Sequence, residues 1–291
     1  MSAAKHAINR VSKQGRRPGS PASCPRPKCA SRLRRMNLLD LPLPTPEGNL
    51  ACDEALLDWC DEGAESALLR FWESPQHFVV VGYSNHVESE VHIAACRERG
   101  IPILRRCTGG GTVLQGPGCL NYSLIRRIDS DPALETVTGT NRFVMERNRA
   151  ALETFFAGSS RRQEALFPNF QFPTSNFQLS VCGHTDLVID GRKFSGNAQR
   201  RRRSAVLFHG TFLLNFDLAL VNRLLPMPSK EPDYRRSRSH AEFLMNLNVS
   251  AAEIKAALAQ AWGATVAMNE LPSECKIEIA KYSSDAWNFK F

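Results

Sequence analysis

Two stretches bring together residue types able to hold an anion or to act as acid, base or nucleophile. In Leu104–Ile125, LRRCTGGGTVLQGPGCLNYSLI, two arginines precede three consecutive glycines. Glycine costs backbone entropy wherever it is ordered, so three in a row suggest a chain that bends sharply or approaches another group closely. Such a loop aims successive N–H groups into one concavity, and Arg105 and Arg106 add fixed positive charge, which suits phosphate. In Thr185–Asp217, Asp186 precedes the turn pair Asp190-Gly191, and Lys193-Phe194-Ser195 emerges on the return strand before Gly196-Asn197-Ala198. Alternation along a strand puts Lys193 and Ser195 on one face and Phe194 on the other. In VLFHGTFLLNF, Val206, Phe208, Phe212, Leu214 and Phe216 form an apolar face with His209 and Thr211 opposite. Thiols complete the inventory: Cys182 lies eleven residues before Lys193, and Cys107 and Cys119 flank the glycine loop.

Singly, each feature also fits a plainer role. The loop reads equally as a hairpin with two solvated arginines, Lys193 as an exposed lysine, His209 as a satisfied structural histidine, and Arg200–Arg203 as a solvated turn. Their joint occurrence is what suggests a site.

The elements that must position these residues are readable locally. Asn49 suits a helix cap with Asp53 and Glu54 in the first turn and Gly63 at the end. Ala67–Trp72 and Phe78–Gly82 read as strands around the turn Glu73–Gln76, Val91–Arg99 as a helix stopped by Gly100, and Ile101–Leu104 as the strand entering the loop. Beyond it Leu120, Tyr122 and Leu124 alternate with Asn121 and Ser123. Phe143, Arg147, Ala151 and Phe155, with Met145, Leu152 and Phe156 widening the apolar stripe, give Thr140–Phe156 helical spacing closed by Gly158, and Ser159–Pro173 is irregular. Leu218–Leu225 and Ala251–Trp262 read as helices. The charged run Tyr234–Ser239 reads as too polar for a core, and the aromatic residues of Ala280–Phe291 as cover for the domain edge.

With 291 residues, 43% of them hydrophobic, the chain can build a substantial core. Its net charge of +8 is local: residues 1–35 contain ten Lys/Arg and no Asp/Glu, so the remainder carries −2. That segment reads as a disordered basic tail, followed by one catalytic domain over 36–291. Its composition resembles a mitochondrial transit peptide, although the prolines from Pro18 oppose a long amphipathic helix, and Met36 is an alternative start. The expected compartment is the cytoplasm, or the mitochondrial matrix if the tail is a transit peptide. No stretch approaches the roughly 18 apolar residues of a membrane span. Nine scattered cysteines fit reduced thiols better than a disulfide framework. Cys24 and Cys29 lack a second close pair, so no metal is assigned to protein ligands.

Taken in order, NLACDEALL, RR-x-TGGG, TDLVIDGRKFSGNAQR, HGTFLLNFD, the RSR of Arg236–Arg238 and YSSDAWNF resemble the lipoate–protein ligases of the biotin/lipoate ligase and lipoyl/octanoyl-transferase superfamily. The resemblance implies an α+β fold: a mixed, largely antiparallel β-sheet flanked by helices, like the catalytic core of biotin ligases and class II synthetases. It implies ATP, Mg²⁺ and lipoate, or octanoate, as small molecules, with lipoate activated to lipoyl-AMP and transferred to a carrier lysine. The implied partners are lipoyl carrier domains of 2-oxoacid dehydrogenase complexes or the glycine cleavage H protein, with neither nucleic acid nor membrane involved. By resemblance Arg106, Gly109, Gly110, Gly111, Thr112, Val113 and Leu114 bind ATP or the acyl-adenylate, together with Asp186, Lys193, Ser195, Gly196, Ala198, His209 and Gly210. Lys193 is the implied catalytic residue, an electrostatic clamp on phosphate and acyl carbonyl rather than a nucleophile.

Three departures qualify this expectation. Gln115-Gly116 stand where many relatives carry His-Asp, and Cys119 where Asn is usual. The chain ends at the WNF segment, whereas longer ligases continue into an accessory domain, so either a separate protein supplies that domain or adenylation does not occur. The second reading is an ATP-independent octanoyl- or lipoyltransferase working through a cysteine thioester, with Cys182, Cys107 and Cys119 as candidates. Cys182, just before the Gly183–Asp186 turn, does not match the transferase pattern expected from the family. A noncatalytic nucleic-acid-binding protein, the alternative of another class, rests on basic charge that belongs to the tail.

Overall fold

The computed structural model describes residues 36–64, 67–157 and 178–291. The basic tail with Cys24 and Cys29, Gly158 and the segment 159–173 lie outside the described residues. Eleven strands are described: β1 (Met36–Asp40), β2 (Leu68–Trp72), β3 (Phe78–Val81), β4 (Ile103–Arg105), β5 (Val113–Gln115), β6 (Cys119–Arg127), β7 (Leu179–Cys182), β8 (Asp186–Ile189), β9 (Arg192–Arg201), β10 (Ala205–Leu213) and β11 (Ala264–Met268). The helices are α1 (Pro46–Asp61), α2 (Val87–Glu90), α3 (Ile93–Glu98), α4 (Val137–Ala157), α5 (Leu218–Leu224), α6 (His240–Phe243), α7 (Ala251–Trp262), α8 (Ile279–Tyr282) and α9 (Asp285–Asn288).

Eight strands form one sheet in the order β11-β1-β2-β6-β10-β9-β8-β7, and β4-β3-β5 form a second. The large sheet is antiparallel from β2 to β7, and β1 pairs parallel with both β2 and β11. This is the mixed, largely antiparallel sheet expected. The reading of individual segments missed the parallel edge, because MNLLD is short and follows the arginine-rich tail, while the middle of β11 is exposed. It also missed β5, whose three residues follow directly on the glycines.

Each face of the large sheet is covered differently. On one, Val144, Met145 and Leu152 of α4 and Ile254 and Leu258 of α7 pack on Phe71, Tyr122, Phe208 and Phe212. On the other, Cys52, Leu56 and Leu57 of α1 pack on Leu39, Leu68, Ile125 and Leu207. The inward line of α4 runs through Val144, Asn148 and Leu152; of the expected stripe Met145, Leu152 and Phe156 are in the core, whereas Phe143, Ala151 and Phe155 flank it. Arg147 instead lays its guanidinium over the Phe143 and Trp262 rings.

Local chemistry explains the ends. Thr45, not Asn49, caps α1: its hydroxyl accepts from Gly48 N–H, and Pro46 takes the first turn, where its missing donor costs nothing. Asn49 is buried inside the helix, its amide donating to the Leu43 and Thr45 carbonyls. Helix α7 begins with a Ser250/Glu253 capping box and ends at Gly263 in the left-handed region.

Candidate active site

Strand β9 carries one residue more than its neighbour beside the site. Leu187 pairs with Ser195 but Val188 with Lys193, so Phe194 is the extra residue of a bulge. The bulge breaks the alternation and corrects the expected shared face. Ser195 stands opposite the core residues Leu187 and Phe212 and accepts from Asn197 Nδ2, whereas Lys193 returns to the face of Gly196. Lys193 Nζ pairs with Asp186 Oδ1 at 2.8 Å, and Tyr234 Oη donates to Asp186 Oδ2 at 2.8 Å. Burial, then the neighbouring Asp186 carboxylate, raises the Tyr234 phenol, keeping it a donor at neutral pH. The Lys193 ammonium is therefore aimed but still partly exposed, with 22% of its side-chain surface free.

The bulged strand is braced from behind. Trp262 Nε1 donates to Asn148 Oδ1, Asn148 Nδ2 to Tyr122 Oη, and Tyr122 Oη to Asn197 Oδ1, a chain linking α7, α4, β6 and β9. Asn197 Nδ2 then donates to the Thr185 carbonyl, tying β9 to the turn before Asp186. A buried chain with every member bonded resists rearrangement, because each broken link strands a polar group.

The glycine loop joins β4 to β5. Gly110 has φ +91°, a conformation that side chains disfavour, and a Cβ there would stand 3.0 Å from the Arg106 guanidinium. Arg106 donates to the Gly109 and Gly111 carbonyls, both at 2.7 Å, and burial pulls its guanidinium down to about 10. Arg105 points elsewhere, into the carbonyls of Gly82, Tyr83, Asn85, Trp287 and Asn288. The expectation of two phosphate-facing arginines is corrected for Arg105, which fastens the loop to the C-terminal segment, while Arg106 lines the cavity and holds the loop's shape. Carbonyls so occupied leave the loop's N–H groups as its free polar edge.

His209 closes the loop's other side, its Nε2 lying 2.7 Å from the Thr108 hydroxyl and its Nδ1 3.4 Å from Asp53 Oδ2. Asp53 also accepts from Arg70 at 2.6 Å and from Ser123 at 2.7 Å, and both Asp53 and Arg70 are buried. Burial alone would raise the Asp53 carboxyl, but Arg70, His209 and Ser123 outweigh it and hold the group below its ordinary value. Sequence reading had placed Asp53 only as a first-turn helix residue. NLACDEALL carries Asp53 into the family resemblance, but nothing in the sequence points to Arg70 as its partner.

These elements surround one cavity of about 870 Å³. Of the residues that the resemblance implied for ATP or acyl-adenylate binding, Gly109 alone lies off its wall. Tyr234 and Arg235 line it too, which corrects the reading of Tyr234–Ser239 as too charged for a core at one residue: Arg235 is 4% exposed with its guanidinium over Phe243, while Arg236 and Ser237 are exposed as expected. Among the described residues no group of three or more His, Cys, Asp or Glu side chains is placed to hold a metal ion. No described helix is long and apolar enough to cross a membrane.

The three thiols separate sharply. Cys107 and Cys119 are buried, and desolvation pushes Cys107 up to about 12 and Cys119 further. Cys182 is partly exposed at the end of β7, directly opposite Asp186, and the next residue, Gly183, lines the cavity.

Residues 45–263 match the lipoyl protein ligase A/B catalytic domain. The chain is 31% identical over 268 residues to octanoyltransferase LipM of Geobacillus kaustophilus, covering 84% of this chain and 94% of that one. It is 28% identical to octanoyltransferase LipM of Bacillus subtilis, with 84% and 95% covered. Among solved structures, a bi-partite lipoate protein ligase of Thermoplasma acidophilum superposes with a TM-score of 0.68 at 24% identity, over 88% of this chain and 96% of that one. Lipoate-protein ligase A bound with ATP superposes with a TM-score of 0.65 at 26% identity, over 88% and 98%. The chain, an enzyme of the lipoate ligase and octanoyltransferase superfamily, belongs to the lipoyl protein ligase A/B catalytic-domain family.

Proposed function

We propose that this protein is an ATP-independent acyltransferase that moves an octanoyl or lipoyl group between carriers through a thioester on Cys182. The observation that carries the reading is the placement of Cys182, opposite the aspartate that aims Lys193, while Cys107 and Cys119 are buried with their thiols protonated. The relatives named octanoyltransferase point the same way, against the sequence-based preference for the ligase.

In the first step the Cys182 thiolate attacks the carbonyl of an acyl-carrier thioester, the carrier sulfur leaves as a thiolate, and it takes up a proton from solvent in place of the one Cys182 gave up. In the second, the amine of a lipoyl-domain lysine attacks the Cys182 thioester; the amide forms, the Cys182 sulfur leaves, and the amine proton passes to solvent. Both steps build negative charge on the acyl oxygen. The Lys193 ammonium and the loop N–H groups are the donors available to stabilise it, already oriented by Asp186 and Arg106.

A second reading, the ATP-dependent ligase with lipoyl-AMP as intermediate, draws on the same wall. The glycine-loop N–H groups beside a lysine suit a phosphate, and the 26% identical ligase is bound with ATP. Two parallel incubations distinguish them: octanoyl-carrier with apo lipoyl domain and no ATP, and lipoate with ATP, Mg²⁺ and apo lipoyl domain. The transferase forms product in the first and carries an acid-stable acyl adduct on Cys182 by mass spectrometry. Product confined to the second, without an adduct, assigns the ligase.

A further inference from the structure

Among the described residues, three polar atoms of side chains lining the cavity have no hydrogen-bond partner: Trp72 Nε1, Gln115 Oε1 and Asn121 Nδ2. Each belongs to a side chain more than nine-tenths buried. They stand at the end of a row crossing the sheet. Gly196, beneath the Lys193 ammonium, pairs with Thr211; Thr211 pairs with Asn121; Asn121 pairs with Trp72. Directly opposed residues of antiparallel strands share a face, so the row runs from Lys193 along one wall. At about 4.8 Å per strand, Asn121 is roughly 10 Å and Trp72 roughly 14 Å from Gly196, about the reach of an extended octanoyl chain.

Gln115 reaches into the row from the smaller sheet. Its Nε2 donates to Thr211 Oγ1 at 2.9 Å, and Thr211 Oγ1 donates to Asn121 Oδ1 at 2.6 Å. Turning both amides over reverses that relay, yet it still leaves one amide donor and one amide acceptor unused. Adding the Trp72 indole N–H makes two donors and one acceptor in every arrangement. A hydroxyl is the complement of this set, with two lone pairs and one O–H. All three atoms are covered, so a ligand pairs with them only where the side chain turns toward the cavity; each amide is tethered there through the single Thr211 hydroxyl.

We infer that Trp72, Gln115 and Asn121 form a polar subsite at the far end of the acyl-binding cavity, selecting a medium-length acyl chain that carries a hydroxyl near its methyl end over plain octanoyl. The inference rests on the proposed acyl transfer only in taking the cavity as the acyl site. Leaving buried donors and acceptors unpaired is the penalty that a plain chain incurs there and a hydroxylated one relieves.

Calorimetric titration of the full chain with octanoate and with octanoates hydroxylated at successive carbons near the methyl end tests it. At least one hydroxyoctanoate binds about tenfold more tightly than octanoate, and Asn121→Leu removes that advantage. Gln115→Met, close in length, reduces the advantage should Asn121→Leu not fold, and the wild-type ranking needs neither variant. Octanoate binding as tightly as every hydroxylated member, as a subsite filled only by water would give, or no binding of any of them, overturns the inference. A hydroxyl preference without acyl-Cys182 supports the subsite and sinks the transferase; acyl-Cys182 without that preference does the reverse.

Discussion

Gly196 lies beneath Lys193, so close that a Cβ on it would stand 2.7 Å from the lysine Nζ. The flexible end of the lysine can yield, so Gly196→Ala should change stability by less than about 1 kcal/mol. Yielding moves the ammonium off Asp186 and away from the acyl oxygen. Carrier modification by Gly196→Ala should fall at least about tenfold, because misplacing a catalytic group by an ångström is that costly. Parallel urea melts and transfer assays measure the two effects, and unchanged transfer refutes the stacking argument.

Removing the ammonium altogether is more severe. Lys193→Ala breaks one partly exposed ion pair, so the fold is retained, but transfer should drop by about 10²–10³. Asp186→Asn, which keeps the ammonium and loosens its aim, should lie between wild type and Lys193→Ala. Rates under single-turnover conditions give the ranking.

The cysteines are predicted to separate in two assays. Cys182→Ser should lose the acyl adduct in mass spectra after mixing with octanoyl-carrier, with little change in melting temperature. Cys119→Ser should keep the adduct but lose about 1–3 kcal/mol, since a hydroxyl is placed where an apolar thiol was fully buried. An adduct on Cys107 or Cys119 in the wild type would overturn the assignment.

Gly110→Val should weaken binding of an acyl-adenylate analogue or an acyl substrate more than it weakens the fold. The φ of +91° is strained for a β-branched residue, and the new side chain meets the Arg106 guanidinium that shapes the loop. Calorimetry on the folded variant checks this, and unaltered affinity would make the loop a structural turn only.

Asp53 makes acid stability testable. Its carboxyl is held below the ordinary 3.8, so its contribution is complete above that value and is lost as pH falls through the lower folded one. Wild-type stability should therefore decline as pH drops below about 4, and Asp53→Asn should show a shallower decline there. At neutral pH Asp53→Asn should be less stable by about 3–5 kcal/mol, because Arg70 is left buried without its carboxylate. Denaturant melts across this range supply both numbers.

What the sequence by itself determined was local in character. The glycine loop, the hairpin at Asp190-Gly191 (φ +48° and +77°), the strand carrying His209 and the helix over Ala251–Trp262 each depend on turn residues and short-range periodicity. The ordered motifs sufficed for the family and the mixed sheet. The tertiary structure alone decided where several side chains point. The bulge that turns Ser195 away from Lys193 is a count of residues against β8, and a single strand cannot display its register with another. Arg105 and Arg106 look like free cations in sequence, but their acceptors are backbone carbonyls, some of them 182 and 183 residues away, and every sequence has carbonyls everywhere. Asp53 and Arg70 become a buried pair, and Gly196, Thr211, Asn121 and Trp72 a row, only when four strands and a helix pack together. Partners so distant in the chain leave no periodic trace in it.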